Sequence, residues 1–460
     1  MREAPARTAR LPIAIGVVWI SVKRVRWVSL LVGLAALVLL VRIGIFMVDV
    51  SRTDLSIQPD DRWRREHSCL TAYAEAARLA AEPGRNVYDA SLYEQRFIRG
   101  LKVDTYHYPP PFLLLPDALQ RTGGGFLGLR PIWFVMQLGV LVAMILAIVR
   151  WLGKRDGGAV LLAAPLFFIA PTTLFTFQMG NFQPTAVALS VLGMIALGSS
   201  RVHVQAVGGV SLAFATLAKV FPGVLGVVLI VTRRWRAAMW TAAAGVVLVL
   251  VALAIYGTGP FEDFIHYQLP RLDNGDAFPQ SERPNVVAAN QSFYGMLVKL
   301  RVLGIDALDK QTGLSITSVY GAIVMGLAAV IGWFRRGVLT SPAHRVVALH
   351  AWLALLNLAS FRSPFVGGPY GAIGTVLLAV LAIACATTAR ERIAWCAAYV
   401  FLVANSLILP TPVGIPSTAM LAFTLASQVI ILAINAVPLL RVWRTSPSVA
   451  PSARGEARAA

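Results

Sequence analysis

Acidic residues are scarce in this chain, with 22 Asp and Glu against 41 Lys and Arg. Charge of any sign is thin: 14% of residues are charged while 57% are hydrophobic, and the mean hydropathy is +0.68. A soluble domain cannot hide that much apolar surface, which excludes the ordinary globular enzymes and binding modules. Cysteine is nearly missing, with three in 460 residues. Cys385 and Cys396 sit close together and Cys69 stands far from both, so no intrachain disulfide is expected. Six scattered histidines, with no CxxC and no HExxH, give no support for a zinc site. There is no internal repeat. The net charge of +19 would suit a nucleic-acid partner, but its basic residues lie in short clusters between apolar runs rather than on one solvated face. Nucleic acid is therefore not expected as a partner.

What the chain does have is apolar length. Runs near 20 residues, each enough to cross a hydrocarbon core of about 30 Å, occupy 28–48, 131–149, 158–177, 182–197, 237–255, 314–334, 346–361, 372–386, 393–409 and 418–439. The stretch 206–231 is also apolar, but Lys219 and Pro222 interrupt it, so it reads as two half-length helices meeting at a break. The fold class expected is an all-α polytopic membrane protein of about ten full spans plus this short hairpin. Basic clusters at Lys23, Arg150, Arg201, Arg233, Arg335, Arg390 and Arg441 fall on one side of the membrane if the hairpin dips in and returns. That side is the cytosol, because short cytosolic loops retain Lys and Arg. Both termini are then cytosolic, and two long polar loops, about 49–129 and 257–312, face outside with most of the acids.

The first apolar run is too long for a cleaved signal, and no small-x-small site follows it. Residues 1–26 read as a cytosolic and interfacial segment, with 11–22 as an interfacial helix. Residues 27–440 form the transmembrane domain. The basic stretch 441–460, poor in apolar anchors, reads as a disordered cytosolic tail.

The polar segments outside carry the chemistry. From Ser68 a helical pattern puts Leu70, Tyr73, Ala77 and Ala80 on one face and stops at Pro83-Gly84, with a turn and a further helix after it. His107 and Tyr108 then lead into Pro109-Pro110-Pro111, a rigid elbow at the membrane surface. Gln178, Asn181 and Gln183 crowd amides around the Gly180 turn, where they can hydrogen-bond sugar hydroxyls or cap helix ends. Lys219 sits at the apex of the broken hairpin, where an ionised side chain costs about 2.5–3.5 kcal/mol. An anion such as a lipid phosphate can offset that cost, or the side chain can snorkel to the interface.

YPPP after a long acidic loop, then GNFQP at the end of a span, then AKVFPG followed by RRWRA, together resemble glycosyltransferase family 87 of the GT-C superfamily, a bacterial family. The resemblance runs over 70–236 in motifs and elsewhere in topology, including Asn290-Gln291-Ser292 in the second loop. It implies a GT-C-like domain that moves a mannose- or arabinose-like sugar, with inversion, from a polyprenyl-phosphate donor to a lipid or glycan acceptor. The reaction would occur at the outer face of the bacterial cytoplasmic membrane, among membrane lipids. Lys219 matches the family lysine of KxxP and takes the donor phosphate. His107, Tyr108, Gln178, Asn181, Gln183, Asn290 and Gln291 are the candidate sugar and acceptor ligands.

Two positions depart from the family pattern. Where relatives carry Asp a few residues before YxxAA, this chain has Cys69, and a thiol is a poor base at neutral pH. Glu66, Glu75 and Asp89 are the candidates to replace it, with Asp49 and Asp61 behind them. Later, where relatives have a histidine-containing stretch after SP, Arg362-Ser363-Pro364 leads into Phe365 instead. Arg362 can be a second phosphate ligand or an interface anchor. No cofactor is expected: a monophosphate donor can be held by Lys and Arg alone, although the acidic loop could take a divalent ion. The competing reading is a lipid or solute transporter, but the acids here are outside, one hairpin alone is broken, and no second half repeats it.

Overall fold

The computed structural model describes residues 12–82, 84–408 and 415–446. They form a bundle of helices with one two-stranded hairpin and two isolated β-bridges. Helix α1 (Pro12–Val48) is continuous, so the separate interfacial helix expected at 11–22 is absorbed into it over the described residues. No Pro or Gly pair breaks the chain between the two stretches. After α1 the first long loop folds into α2 (Cys69–Ala80), a hairpin of β1 (Phe97–Ile98) and β2 (Leu101–Lys102), and a one-turn elbow at Pro110–Leu113. The hairpin stands where a further helix was expected. Arg99 and Gly100 take left-handed backbone there and turn the chain back on itself.

Long apolar helices follow: α3 (Phe126–Leu152), then α4 (Lys154–Ile169) and α5 (Pro171–Met179), α6 (Gln183–Leu197), α7 (Val202–Ala218), α8 (Gly223–Val231) and α9 (Trp235–Tyr256). The second long loop carries α10 (Phe293–Val302). The chain then continues through α11 (Lys310–Phe334), α12 (Arg345–Ser360), α13 (Ile373–Cys385), α14 (Ala389–Ile408) and α15 (Thr418–Arg444). The basic tail expected from 441 begins later, because α15 runs through Arg444; 447–460 lie outside the described residues.

Six helices, α1, α3, α9, α11, α14 and α15, have the length and apolar composition to cross a membrane. A seventh span exists if α4 and α5, bent by 62° at Ala170, are counted together. Proline at the first position of α5 causes the bend, since it supplies no N–H to continue the ladder. The other three of the ten expected runs become α6, α12 and α13, of 15, 16 and 13 residues. At 1.5 Å per residue, 13 residues reach only about 20 Å. Helices α12 and α13 are buried along nearly their whole length, so their apolar residues face protein. By contrast α9 is bare on most of its surface, as a lipid-facing helix is.

Two contacts fix the part that matters. In the tight turn after α5, Gly180 has left-handed backbone (φ 67°), and a Cβ there would lie 2.4 Å from Cγ of Leu70 in α2. The loop helix therefore presses directly on the α5–α6 turn. Beside it, α7 stops at Ala218 and α8 starts at Gly223, leaving Lys219 between them in extended backbone. The expected break is present, with a fuller first helix than the expected half-length one.

Candidate functional site

Lys219 is half-buried at the α7–α8 break, and its Nζ lies 5.0 Å from the ring centroid of Tyr108, which immediately precedes the proline elbow. Among the described residues its ammonium has no carboxylate within ion-pairing distance. Tyr108 is anchored from α2, its hydroxyl 2.8 Å from that of Tyr73. The Tyr73 ring packs edge-on against Tyr108 and Phe112. His107 lies on the other side of the elbow: Gln268 donates to its Nδ1 over 3.1 Å, and Phe278 packs 4.7 Å from its ring. Burial, with Arg271 and Lys219 adding to it, pushes this imidazole down to about 3, so it stays neutral. A cation next to a neutral histidine and an aromatic face is arranged to receive an anion.

The start of α2 forms the second half of the site. Cys69 is buried, and the Asn181 amide donates to its Sγ at 3.3 Å. His67 Nε2 is 4.0 Å from the same sulfur and 3.4 Å from Oδ2 of Asp104. The β-hairpin delivers Asp104, and His67 also bridges to Lys102 of β2. His67, Cys69 and Asp104 are the one group of His, Cys, Asp or Glu among the described residues whose donor atoms all lie within 4.8 Å of one another. Burial pushes the Cys69 thiol up to about 12, with the Asp104 charge adding to it, so the sulfur keeps its proton. Burial likewise raises the Asp104 carboxyl above the ordinary 3.8, with His67 and Lys102 opposing. Tyr370, past Gly367, lies within electrostatic range of Cys69, Tyr108 and Asp104, which brings this late segment near the same site.

The three expected carboxylates have other partners. Glu66 pairs with Arg62 at 2.9 Å. Glu75 is buried in an ion-pair cluster, with Arg78 at 2.7 Å and Arg96 on its other side. Asp89 caps a short turn by accepting from the Ser91 N–H at 3.0 Å. Further out, Asp49 accepts from Ser51, and Asp61 caps the helix that holds Arg64. Arg362 reaches Asp273 of the second loop at 3.7 Å, both side chains half or more exposed. That pairing favours neither of its expected roles.

The amides divide. Gln178 spends both ends on loop backbone, accepting from Ile57 N–H at 2.7 Å and donating to the Arg64 carbonyl at 2.9 Å. Asn181 joins Cys69, as above, and accepts from the Gln183 N–H at 2.9 Å, so both open the turn into α6. Asn290 is fully buried and works as a latch. It donates to the Pro364 carbonyl at 3.0 Å and accepts from the Ser292 and Val366 N–H groups. Gln291 is buried with both amide atoms unpartnered among the described residues. It lines a small gap with Phe361 and Gln428.

Asp104, His67 and Tyr370 were absent from the expected site. The signal for Asp104 was its place four residues before Tyr108, but only the hairpin shows that it turns toward Cys69. A family model described as glycosyltransferase family 87 matches residues 106–355, more than half of the chain. No curated protein and no solved structure match.

Proposed function

The chain belongs to glycosyltransferase family 87, and from that premise we propose that it transfers a mannose- or arabinose-like sugar from a polyprenyl-phosphate donor to a lipid or glycan acceptor. The reaction takes place at the outer face of the bacterial cytoplasmic membrane, with both termini in the cytosol. The reading rests on Lys219, a cation at the break between two apolar helices, flanked by Tyr108 and without a carboxylate partner among the described residues. A cation held there stabilises a phosphate as it leaves.

In the step itself the acceptor hydroxyl oxygen bonds to the anomeric carbon while the bond from that carbon to phosphate oxygen breaks. The phosphate departs with the electron pair, its charge met by Lys219. The acceptor proton passes to a carboxylate of the first loop, and the anomeric configuration inverts. At the C-terminal end of α2 a cleft of about 440 Å³ is lined by Glu82, Arg85, Asn86, Tyr256, Glu262 and Asp263. Its excess of carboxylates suits a neutral, hydroxyl-rich acceptor better than an anionic one.

The test is an assay of the purified protein with a panel of polyprenyl-phosphate sugars, followed as release of polyprenyl phosphate and glycosylated product. At least one donor should turn over. Lys219→Met, which keeps the length of the chain and removes the charge, should fold and show no transfer. Normal turnover in that variant would return Lys219 to a purely structural part.

A further inference from the structure

We propose that Asp104 is the base that takes the acceptor proton, and that His67 is the positioning residue that holds it. The inference rests on the transferase reading above. It assigns the base to a residue where the family pattern has none, because Cys69 fills the family's aspartate position.

The first long loop holds 11 carboxylates, and their surroundings separate them. Glu66, Glu75, Glu82 and Asp117 are paired with arginines. Asp49, Asp61 and Asp89 accept from backbone N–H groups as caps. A carboxylate bound to an arginine or a helix end is stabilised as the anion, which makes it a weak proton acceptor. Asp54, Asp60 and Glu94 are exposed, whereas Asp104 is half-buried and differs from the paired and capping acids in its partner, an imidazole at 3.4 Å. The charged and titratable groups that act on it or feel it are His67, Lys102, Cys69, Tyr108 and Tyr370. Burial outweighs the lowering effects of His67 and Lys102, and a raised carboxyl is better matched to accepting a proton near neutral pH.

Its position is set from two sides. The Asp104 N–H donates to the Thr71 hydroxyl at 3.1 Å, tying this backbone to α2. The His67 ring stacks on Trp63 at 4.5 Å and is nearly parallel to it, which restrains the plane of the ring that presents Nε2 to Asp104. Cys69 and Tyr73 lie one helical turn apart on α2, and Tyr73 bonds Tyr108, whose ring faces Lys219, so base and phosphate ligand approach the same stretch of α2. A sugar bridging them would have its phosphate toward Lys219 and its acceptor toward Asp104, as displacement from opposite faces of the anomeric carbon requires. The protonated, buried thiol then acts as a small apolar spacer.

The experiment uses the full chain with whichever polyprenyl-phosphate sugar turns over. Asp104→Asn should lower kcat by about 10²- to 10⁴-fold and leave the donor KM within a factor of two or so. His67→Gln should move the acid limb of the pH profile to higher pH, because the imidazole now holds the Asp104 pKa down. Cys69→Ser should be mild. The deciding variant is Cys69→Asp combined with Asp104→Asn: a carboxylate restored within 4.8 Å of the lost one should recover a large part of the turnover, which a merely structural role for Asp104 would not allow. Normal kcat in Asp104→Asn would overturn the assignment. So would one equivalent of zinc in the purified protein that disappears in Cys69→Ser, since the carboxylate would then be a ligand. No turnover of any donor by the unaltered protein would overturn the transferase reading and the base together, whereas the other two results strike the base alone.

Discussion

Glu75 is a carboxylate that the sequence offers as a base and the fold uses as an anchor. Arg78 and Arg96 close on it from two sides, and although burial works the other way, their hydrogen bonds and charges hold its carboxyl below the ordinary 4.5. A depressed carboxyl contributes stability above its unfolded value, and that stability is lost as pH falls through the folded one. Glu75→Gln should therefore lower the stability at pH 7 by about 1–2 kcal/mol after allowing for two half-exposed arginines, read as a lower melting temperature, and the difference from the unaltered protein should shrink below pH 4.5. Turnover per folded molecule should stay near normal. At Arg362 the expectation is smaller: an ion pair this exposed is worth about 0–1 kcal/mol, so Arg362→Ala should change kcat/KM by less than about fivefold. A hundredfold loss would restore its phosphate role. Lys219 was legible in the sequence because an ionisable residue in an apolar hairpin is conspicuous. Asp104 was not, because its meaning depends on a hairpin that folds it against a histidine far earlier in the chain.

Helix lengths were read less well than helix positions. All ten expected runs are helical, yet α6, α12 and α13 are too short to cross alone, and α12 and α13 are lined on all sides by protein. Hydropathy registers apolar residues and cannot tell whether lipid or another helix covers them. Close approach is what lets α12 and α13 pack so tightly: a Cβ on Gly374 would meet Oδ1 of Asn357 at 1.9 Å, and Asn357 in turn bonds Asn435. Gly180 is the corresponding point at the site. Gly180→Ala should cost about 1–2 kcal/mol for left-handed backbone and about 1–3 kcal/mol more for the collision with Leu70. Thermal unfolding in detergent would read this as a lowered melting temperature, and turnover should fall with it because Asn181 and Leu70 move. A variant as stable and as active as the parent would show that α2 does not press on this turn.

For the whole molecule, the proposed sidedness can be checked directly. In a background with Cys69→Ser and Cys396→Ser, cysteines placed at the exposed positions Glu94 and Arg283 should react with a membrane-impermeant thiol reagent in intact cells. Those placed at Arg155 and Arg336 should react only after the membrane is opened. The reverse pattern would put the site on the cytosolic face and sink the donor assignment. The charge pattern supports the expected side, and the bundle adds a restraint that the sequence hides. Lys299, buried in α10, donates to the Asn290 carbonyl at 2.6 Å and to Gln428 of α15 at 2.7 Å, while Gln428 donates to the Asn290 and Ser292 carbonyls. The second long loop is thus fastened by α15, the last helix among the described residues, which lies beyond the part that the family model covers. A fragment trimmed to that part would lose one of the two acceptors of a buried ammonium and loosen the loop bearing Gln268 and Phe278, the two residues that hold His107. The smallest working unit of this enzyme therefore reaches at least to Gln428, and a shorter one would fail far from where it was cut.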